Sequence, residues 1–254
     1  MKVTFLGTGT SQGVPLIACQ CAVCKSTNHK DKRLRSSILI QHNNLNIVID
    51  SGPDFRQQML REGLRHLDAI VYTHEHKDHT AGLDDIRGFN FIMERPVDLY
   101  LSEKVEMGLR QEFAYVFAEH RYPGIPEVNL NRITNAPFLV SGVQFIPIEI
   151  MHLKLPIFGF RIGDFTYITD MKSISLEEKE KVKGSKVLVV NALRREEHVS
   201  HITFNEAIAF AEEIKPEKAY FTHISHQLGL HDEVMQELPP YIELAYDGLK
   251  IEVV

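Results

Sequence analysis

A run of apolar and β-branched residues, "AIVYT" (69–73), stops at His74 and gives way to "HEHKDH" (74–79). Four side chains able to hold a metal, His74, His76, Asp78 and His79, fall within six residues. A solvated loop that merely happened to be rich in histidine would need no interior strand directly before it. A strand that stays buried along its length and delivers such a group at its end constrains the fold strongly. It calls for a sheet whose strand ends line one rim, where side chains from several strands meet.

The arrangement recurs along the chain. "NIVID" ends at Asp50, "FIPIEIMH" at His152, "FTYITD" at Asp170 and "KAYFTH" at His223. The two halves also echo each other, "NIVIDSG" with "FTYITDM" and "AIVYTHEH" with "AYFTHISH". With Asp50 set aside, His74, His76, Asp78, His79, His152, Asp170 and His223 are too many donors for one ion. They suit a pair of divalent metals about 3.5–4 Å apart with one carboxylate between them. His and Asp donors accept Zn²⁺, Mn²⁺ and Fe²⁺ alike.

Short runs of period two alternate with amphipathic stretches. The spacing predicts helices over about 103–119, 175–183, 204–214 and 231–238. Ser175 with Glu178 and Thr203 with Glu206 match the capping-box spacing at two helix starts. Strands in runs with helices between them indicate an α/β sandwich of layers, a single domain over 1–254. The segment from Met93 to Arg132 fits no motif; its helix reads as core packing, and the turn "RYPGIP" (121–126) is placed to lean over the metals and limit substrate size.

All three cysteines, Cys19, Cys21 and Cys24, sit in "CQCAVC". So tight an odd set makes a poor disulfide framework and suits a zinc ion that takes a fourth ligand elsewhere. Local spacing offers His29 for that place. Net charge also matters: 28 Lys and Arg against 34 Asp and Glu leave −6, which supplies no basic field for a large nucleic acid. No apolar run approaches a membrane span and "MKVTFLGTGT" is no signal-peptide core, so a cytoplasmic, soluble protein is expected, with a homodimer allowed.

On these residues the chain resembles the metallo-β-lactamase fold hydrolases, whose HxHxDH signature His74, His76, Asp78 and His79 match in full. The likeness continues in order through Asp50, His152, Asp170 and His223. It implies a four-layer αββα sandwich. It also implies one metal on His74, His76 and His152, another on Asp78, His79 and His223, Asp170 as the bridge, and Asp50 orienting ligands from behind.

"FLGTGTSQGVP", "SHITFNEA" and "AYDG" resemble the phosphodiesterase branch, which includes the tRNA 3′-processing endonuclease (RNase Z). Within that branch the ends of the chain resemble the phosphoribosyl cyclic phosphate phosphodiesterases of phosphonate degradation. This likeness implies a structural zinc on Cys19, Cys21, Cys24 and His226, and attack on a small phosphodiester by a hydroxide between the two metals. His201 is implied as the histidine that binds a phosphate oxygen or protonates the leaving group. As a residue just before a capped helix start, it could also share the phosphate with the helix amides. The backbone of Gly9 to Gly13 is a further candidate phosphate donor. Between His152 and Asp170 there is no room for a tRNA-gripping arm. Rival readings are a thioester or lactone hydrolase on the same metals, an RNase Z-like nuclease, and a silent metal-binding interaction module.

Overall fold

The computed structural model describes residues 1–119 and 122–253. One sheet takes β1 (Lys2–Gly7), β2 (Ser37–His42), β3 (Leu45–Ile49), β4 (Ala69–Val71), β5 (Val97–Leu101) and β6 (Val128–Arg132). The other takes β7 (Phe138–Val140), β8 (Val143–His152), β9 (Leu155–Ile162), β10 (Phe165–Tyr167), β11 (Ser173–Ile174), β12 (Val187–Asn191), β13 (Lys218–Thr222) and β14 (Ile242–Leu244). A last strand, β15 (Lys250–Glu252), crosses back to the first sheet. The orders are β15-β1-β2-β3-β4-β5-β6 and β11-β8-β9-β10-β12-β13-β14, with β7 on β8.

Side-chain parity explains the layering. Ile38, Ile40, Ile47, Ile49, Ala69 and Val71 turn toward the second sheet and pack with its Phe160, Phe165, Tyr167 and Val189. One position along, Leu39, Val48 and Ile70 face outward and pack on helix residues Phe55, Met59, Val105 and Leu109. On the far side Leu188 and Val190 meet Phe204, Ala207, Phe210, Ala211 and Ile214. These central strands are therefore apolar on both faces, as strands between two covered faces must be. Each such side chain taken from water contributes about 1.5–3 kcal/mol. The expected four-layer αββα sandwich is the observed one.

The helix Phe204–Ile214 forms with its full capping box, Thr203 accepting from Glu206 N and Glu206 reaching back to Thr203 N. The helix Leu176–Val182 has only half of one. Ser175 accepts from Glu178 N, but the Glu178 carboxylate turns to Asn135, Lys181 and the Glu149 amide. The expected helix over 103–119 stops earlier, at Glu103–Glu112, with a 3₁₀ turn over Ala114–Val116. Short helices at Phe55–Glu62 and Arg87–Met93 carry too few periodic positions to be read from sequence.

Strands β3, β4, β5 and β6 run parallel, as do β10, β12, β13 and β14. β8 is antiparallel to β9, which is antiparallel to β10, so β8 points the same way as β10. The C-terminal ends of these strands therefore share one rim. Three residues just beyond them turn the chain through left-handed backbone: Asp50 (φ 65°), Asp170 (φ 61°) and His223 (φ 54°). Non-glycine residues hold such conformations at a cost of about 1–3 kcal/mol each when the surroundings dictate it.

Candidate metal centre

The HxHxDH loop is seated by two glycines. A Cβ on Gly52 would lie 2.1 Å from the Asp78 carbonyl oxygen, and one on Gly82 2.2 Å from that of Gly52. Backbone can pass this close only without side chains. The loop after β3 thereby presses the short helix Lys77–Thr80 into the rim.

Asp50 is fully buried and entirely engaged. Its Oδ1 accepts from Thr73 N (2.8 Å), and its Oδ2 accepts from Thr73 Oγ1 (2.8 Å) and His79 Nδ1 (2.7 Å). With Nδ1 donating to Asp50, the His79 ring turns its Nε2 inward, 3.1 Å from Asp78 Oδ2 and 3.3 Å from Asp170 Oδ2. The Thr73 hydroxyl, its proton given to Asp50, is left to accept from His74 Nδ1 at 2.9 Å. His152 Nδ1 donates to the Asp170 carbonyl oxygen at 2.8 Å. Thr169 Oγ1 donates to Asp170 Oδ2 at 2.6 Å and lies 3.4 Å from His223 Nδ1. His223 Nε2 stands 3.2 Å from Asp170 Oδ1 and 3.3 Å from Thr10 Oγ1. The His74, His79, His152 and His223 rings are thus each engaged at Nδ1, which leaves Nε2 as the atom for a metal, an arrangement common among metal-binding imidazoles.

Donor atoms of Asp78, His79, Asp170 and His223 lie within 4.8 Å of one another, and so do those of His152, Asp170 and His201. Asp170 is common to both groups. His74 and His76 border them, with ring centroids 4.7 Å from each other and 5.8 and 5.1 Å from His152. His201, expected as an acid, stands close enough to Asp170 to count among the donors, its Nδ1 3.8 Å from Oδ1. His76 is the exposed member, so the rim opens on its side.

The donor set fits divalent cations. His74 Nε2, His79 Nε2 and His201 Nδ1 are buried without a hydrogen-bond partner among the described residues, a costly state for polar atoms that nothing coordinates. Burial opposes charge on His79, yet Asp78, Asp50 and Asp170 override it and raise its proton affinity well above the ordinary histidine range. Burial likewise works against the Asp78 carboxylate, and His79 holds it below its usual range. Burial pushes His74 well down, and takes His201 down to about 3 with help from His223. This pocket attracts positive charge while keeping several imidazoles neutral.

A second cluster lies beside it. Cys19, Cys21, Cys24 and His226 bring four donors together, His226 Nδ1 standing 3.5 Å from Cys19 Sγ and 3.4 Å from Cys21 Sγ. The Cys24 amide and His226 lower the Cys21 thiol to about 6, and burial raises that of Cys24 to about 11. His29, the alternative fourth ligand, instead meets the edge of Tyr246. Thr10 N donates to Ile224 O, and Ile224 N to Thr8 O, so the cysteine-bearing end of the chain is pinned to the His223 segment.

Several amides of the two stretches expected to donate to a phosphate already have backbone or side-chain partners. The amides of Gly9, Thr10 and Gly13 donate to Leu34 O, Ile224 O and Thr10 O. At the helix start after His201, the amides of Thr203, Phe204 and Glu206 are taken by Glu206, Arg194 O and Thr203. The orienting hydroxyls Thr10, Thr73 and Thr169 escape a search for ligands, although a threonine immediately before His74, Asp170 and His223 is a repeated signal. The segment after β5 is tied to the metal loop by Lys77 with Glu112 and by Tyr115 with Asp84. The turn at 121–126, expected to lean over the centre, begins at Arg121, outside the described residues.

Known proteins share this frame. The sequence pattern of the β-lactamase superfamily domain matches residues 45–224. A protein of Porphyromonas gingivalis (strain ATCC BAA-308 / W83) named octanoyltransferase is 42% identical over 253 residues, 98% of this chain but 51% of that protein. The chain thus spans about half the length of the curated relatives it matches. A structure described as a new diphosphatase from the PhnP family superposes with a TM-score of 0.93 at 42% identity, covering 100% of this chain and 98% of that one. Zn²⁺-bound PqqB from Methylobacterium extorquens shares the fold at a TM-score of 0.81 and 19% identity, with 100% of both chains covered. The match over most of its length and the full-length likeness at 42% identity show that this chain belongs to the β-lactamase superfamily, in the metallo-hydrolase fold of the PhnP family.

Proposed function

We propose that the chain, as one domain over 1–254, is a metal-dependent hydrolase of small phosphodiesters, cyclic phosphates on a ribose-like sugar first among them. The observation that carries this reading is the double donor group around Asp170 with the His201 ring at its edge. His74, His76 and His152 would hold one divalent metal and Asp78, His79 and His223 the other, with Asp170 between them. Such metals, Zn²⁺, Mn²⁺ or Fe²⁺, supply a water of lowered pKa and neutralise phosphate charge. Asp50 fixes the His79 ring and, through Thr73, the His74 ring. Thr169 does the same for His223 at Nδ1, while Thr10 stands at its Nε2. His201 is placed to bind a non-bridging oxygen or, once protonated, to pass a proton to the departing alkoxide.

Cys19, Cys21, Cys24 and His226 suit a structural zinc, since four soft or borderline donors with no open position make a closed site. Among the described residues no helix is long and apolar enough to cross a membrane, and we take the protein to work in the cytoplasm on a free small substrate. The strand-to-strand connection after His152 is a tight turn to Leu155, which leaves no tRNA-gripping arm, and the net charge of −6 adds no footprint for one.

A second reading, a diphosphate bond as the target, is favoured by the name of the PhnP-family structure at 42% identity. Octanoyl transfer is not carried over, because about half of the relative so named lies outside the match. The test is turnover of a panel of 1,2-, 2′,3′- and 3′,5′-cyclic phosphates, bis(p-nitrophenyl) phosphate, thioesters and a tRNA precursor, with Mn²⁺ or Zn²⁺ added. Cyclic phosphates should give kcat/KM values well above the rest. Accurate trimming of tRNA with no cyclic phosphate cleaved would refute the reading, as would turnover of thioesters alone.

A further inference from the structure

Along the rim of the second sheet, β12 lies between β10 and β13. The two outer strands lead into donors, Asp170 and His223, whereas β12 ends in Asn191. That side chain is fully buried, and no role above uses it. A buried carboxamide needs partners for both its oxygen and its nitrogen. Asn191 finds them on a single residue. Met171 N donates to its Oδ1 at 2.8 Å, and its Nδ2 donates to Met171 O at 3.1 Å.

The backbone explains the choice. β10 and β12 run parallel and in register from Phe165 with Val187 to Tyr167 with Val189, and Ile168 N still donates to Val189 O. The chain then turns through left-handed backbone at Asp170, where φ is 61°. Past that turn Met171 has left the strand direction, so the ladder to β12 stops. The Asn191 side chain supplies both missing bonds, as a strand partner would with its backbone. The Met171 carbonyl also accepts from Ile202 N at 2.9 Å, so the turn is tied to the residue after His201. The stakes of this turn are high. Asp170 Oδ1 lies 3.2 Å from His223 Nε2 and its Oδ2 3.3 Å from His79 Nε2, and a small rotation of the turn would withdraw one oxygen from its donor group.

We propose that Asn191 is a positioning residue for the metal pair: its carboxamide locks the left-handed turn and so sets the Asp170 carboxylate between the two donor groups. The inference rests on the reading of Asp170 as the carboxylate shared by both metals.

The experiment titrates the full chain, stripped of its rim metals, with Zn²⁺ against a chromophoric chelator. Wild type is compared with Asn191→Leu, Asn191→Asp, Asp170→Ala and the double variant of Asp170→Ala with Asn191→Leu. Leucine has nearly the shape of asparagine but makes no hydrogen bond. Aspartate keeps an acceptor for Met171 N but sets a carboxylate oxygen against Met171 O. Both Asn191 variants should bind the rim metals about 10- to 100-fold more weakly, with the chelation-resistant zinc retained. A side chain that merely filled space would be replaced by leucine without loss. The cycle then decides the route: in the Asp170→Ala background, Asn191→Leu should change affinity by no more than about twofold, because the ligand it positions is gone. Wild-type affinity in Asn191→Leu, or losses that add in the double variant, would overturn the proposal. So would metal-free Asn191 variants that do not fold, since the side chain would then be holding the sheet rather than the turn. A wild type that takes up no pair of metals at the rim would overturn the reading of the centre itself.

Discussion

Replacing Asp50 by asparagine tests the orientation scheme at its root. The carboxylate accepts three hydrogen bonds, from Thr73 N, Thr73 Oγ1 and His79 Nδ1. An amide offers one accepting oxygen and one donating nitrogen. With its oxygen on Thr73 N, its NH₂ faces His79 and can be satisfied only if Nδ1 becomes the acceptor. The proton then moves to His79 Nε2, the atom aimed at Asp78 and Asp170, and that lone pair is lost. The opposite amide rotamer sets NH₂ against the Thr73 amide, two donors face to face, at about 1–3 kcal/mol.

Folding should suffer less than binding. Burial already works against the Asp50 charge and raises its pKa, so neutralising it recovers solvation that offsets part of the lost bonding. We expect metal affinity to fall about 10- to 100-fold, roughly 1.4–2.7 kcal/mol. The metal-free melting temperature should move by only a few degrees. Competition with a chromophoric chelator measures the first and calorimetry after chelation the second. Wild-type affinity in Asp50→Asn would refute the argument that Asp50 sets the His79 tautomer. So would global unfolding of the metal-free variant.

Three further outcomes follow from the geometry. His201→Ala should keep the metals, as counted by elemental analysis, and slow cleavage about 10²–10⁴-fold if it donates a proton, least with p-nitrophenolate as leaving group; loss of a metal would make it a ligand instead. Cys21→Ser should remove one chelation-resistant zinc and lower the melting temperature, with the rim metals retained; an unchanged zinc count would exclude the four-donor site. His231 Nδ1 faces the buried Arg33 guanidinium at 3.1 Å, and burial with that charge lowers its pKa to about 4. A depressed folded pKa means stability that is complete above the unfolded value near 6.5 and falls as pH drops toward about 4. The melting-temperature gap between wild type and His231→Asn, which keeps an acceptor near Nδ1, should therefore narrow from pH 7 to pH 4, and a constant gap would contradict it.

The layered α/β architecture was legible because the strands announce themselves. Runs such as "NIVID" and "KVLVVN" are apolar on both faces, and each pairs a buried strand with a polar stop. The rim donors were legible for the same reason, since a ligand at a strand end needs only the strand to be placed. What was not legible depended on partners far away in sequence. The choice between His29 and His226 turns on Ile224 pairing with Thr8 and Thr10, which no local spacing reports. The occupied amides of the glycine turn are a fact about Leu34 and Ile224 rather than about "GTSQG". Glu178 leaves its expected cap because Asn135 and Lys181 compete for it.

The two left-handed aspartates sit at matching places in the two halves, yet only Asp170 faces the donors, and His79 Nε2 lies 3.3 Å from it across the junction of the sheets. One partner comes from the first half of the chain, the other from the second. The centre therefore has no complete local precursor during folding: neither sheet alone can assemble it, and its donors come from segments far apart in sequence, His79 and Asp170 being 91 residues apart. Such contacts come late, after the loop entropy of everything between them has been spent. A refolding chain should acquire its rim metals in the closing step of folding, which makes metal uptake a timer for the docking of the two halves.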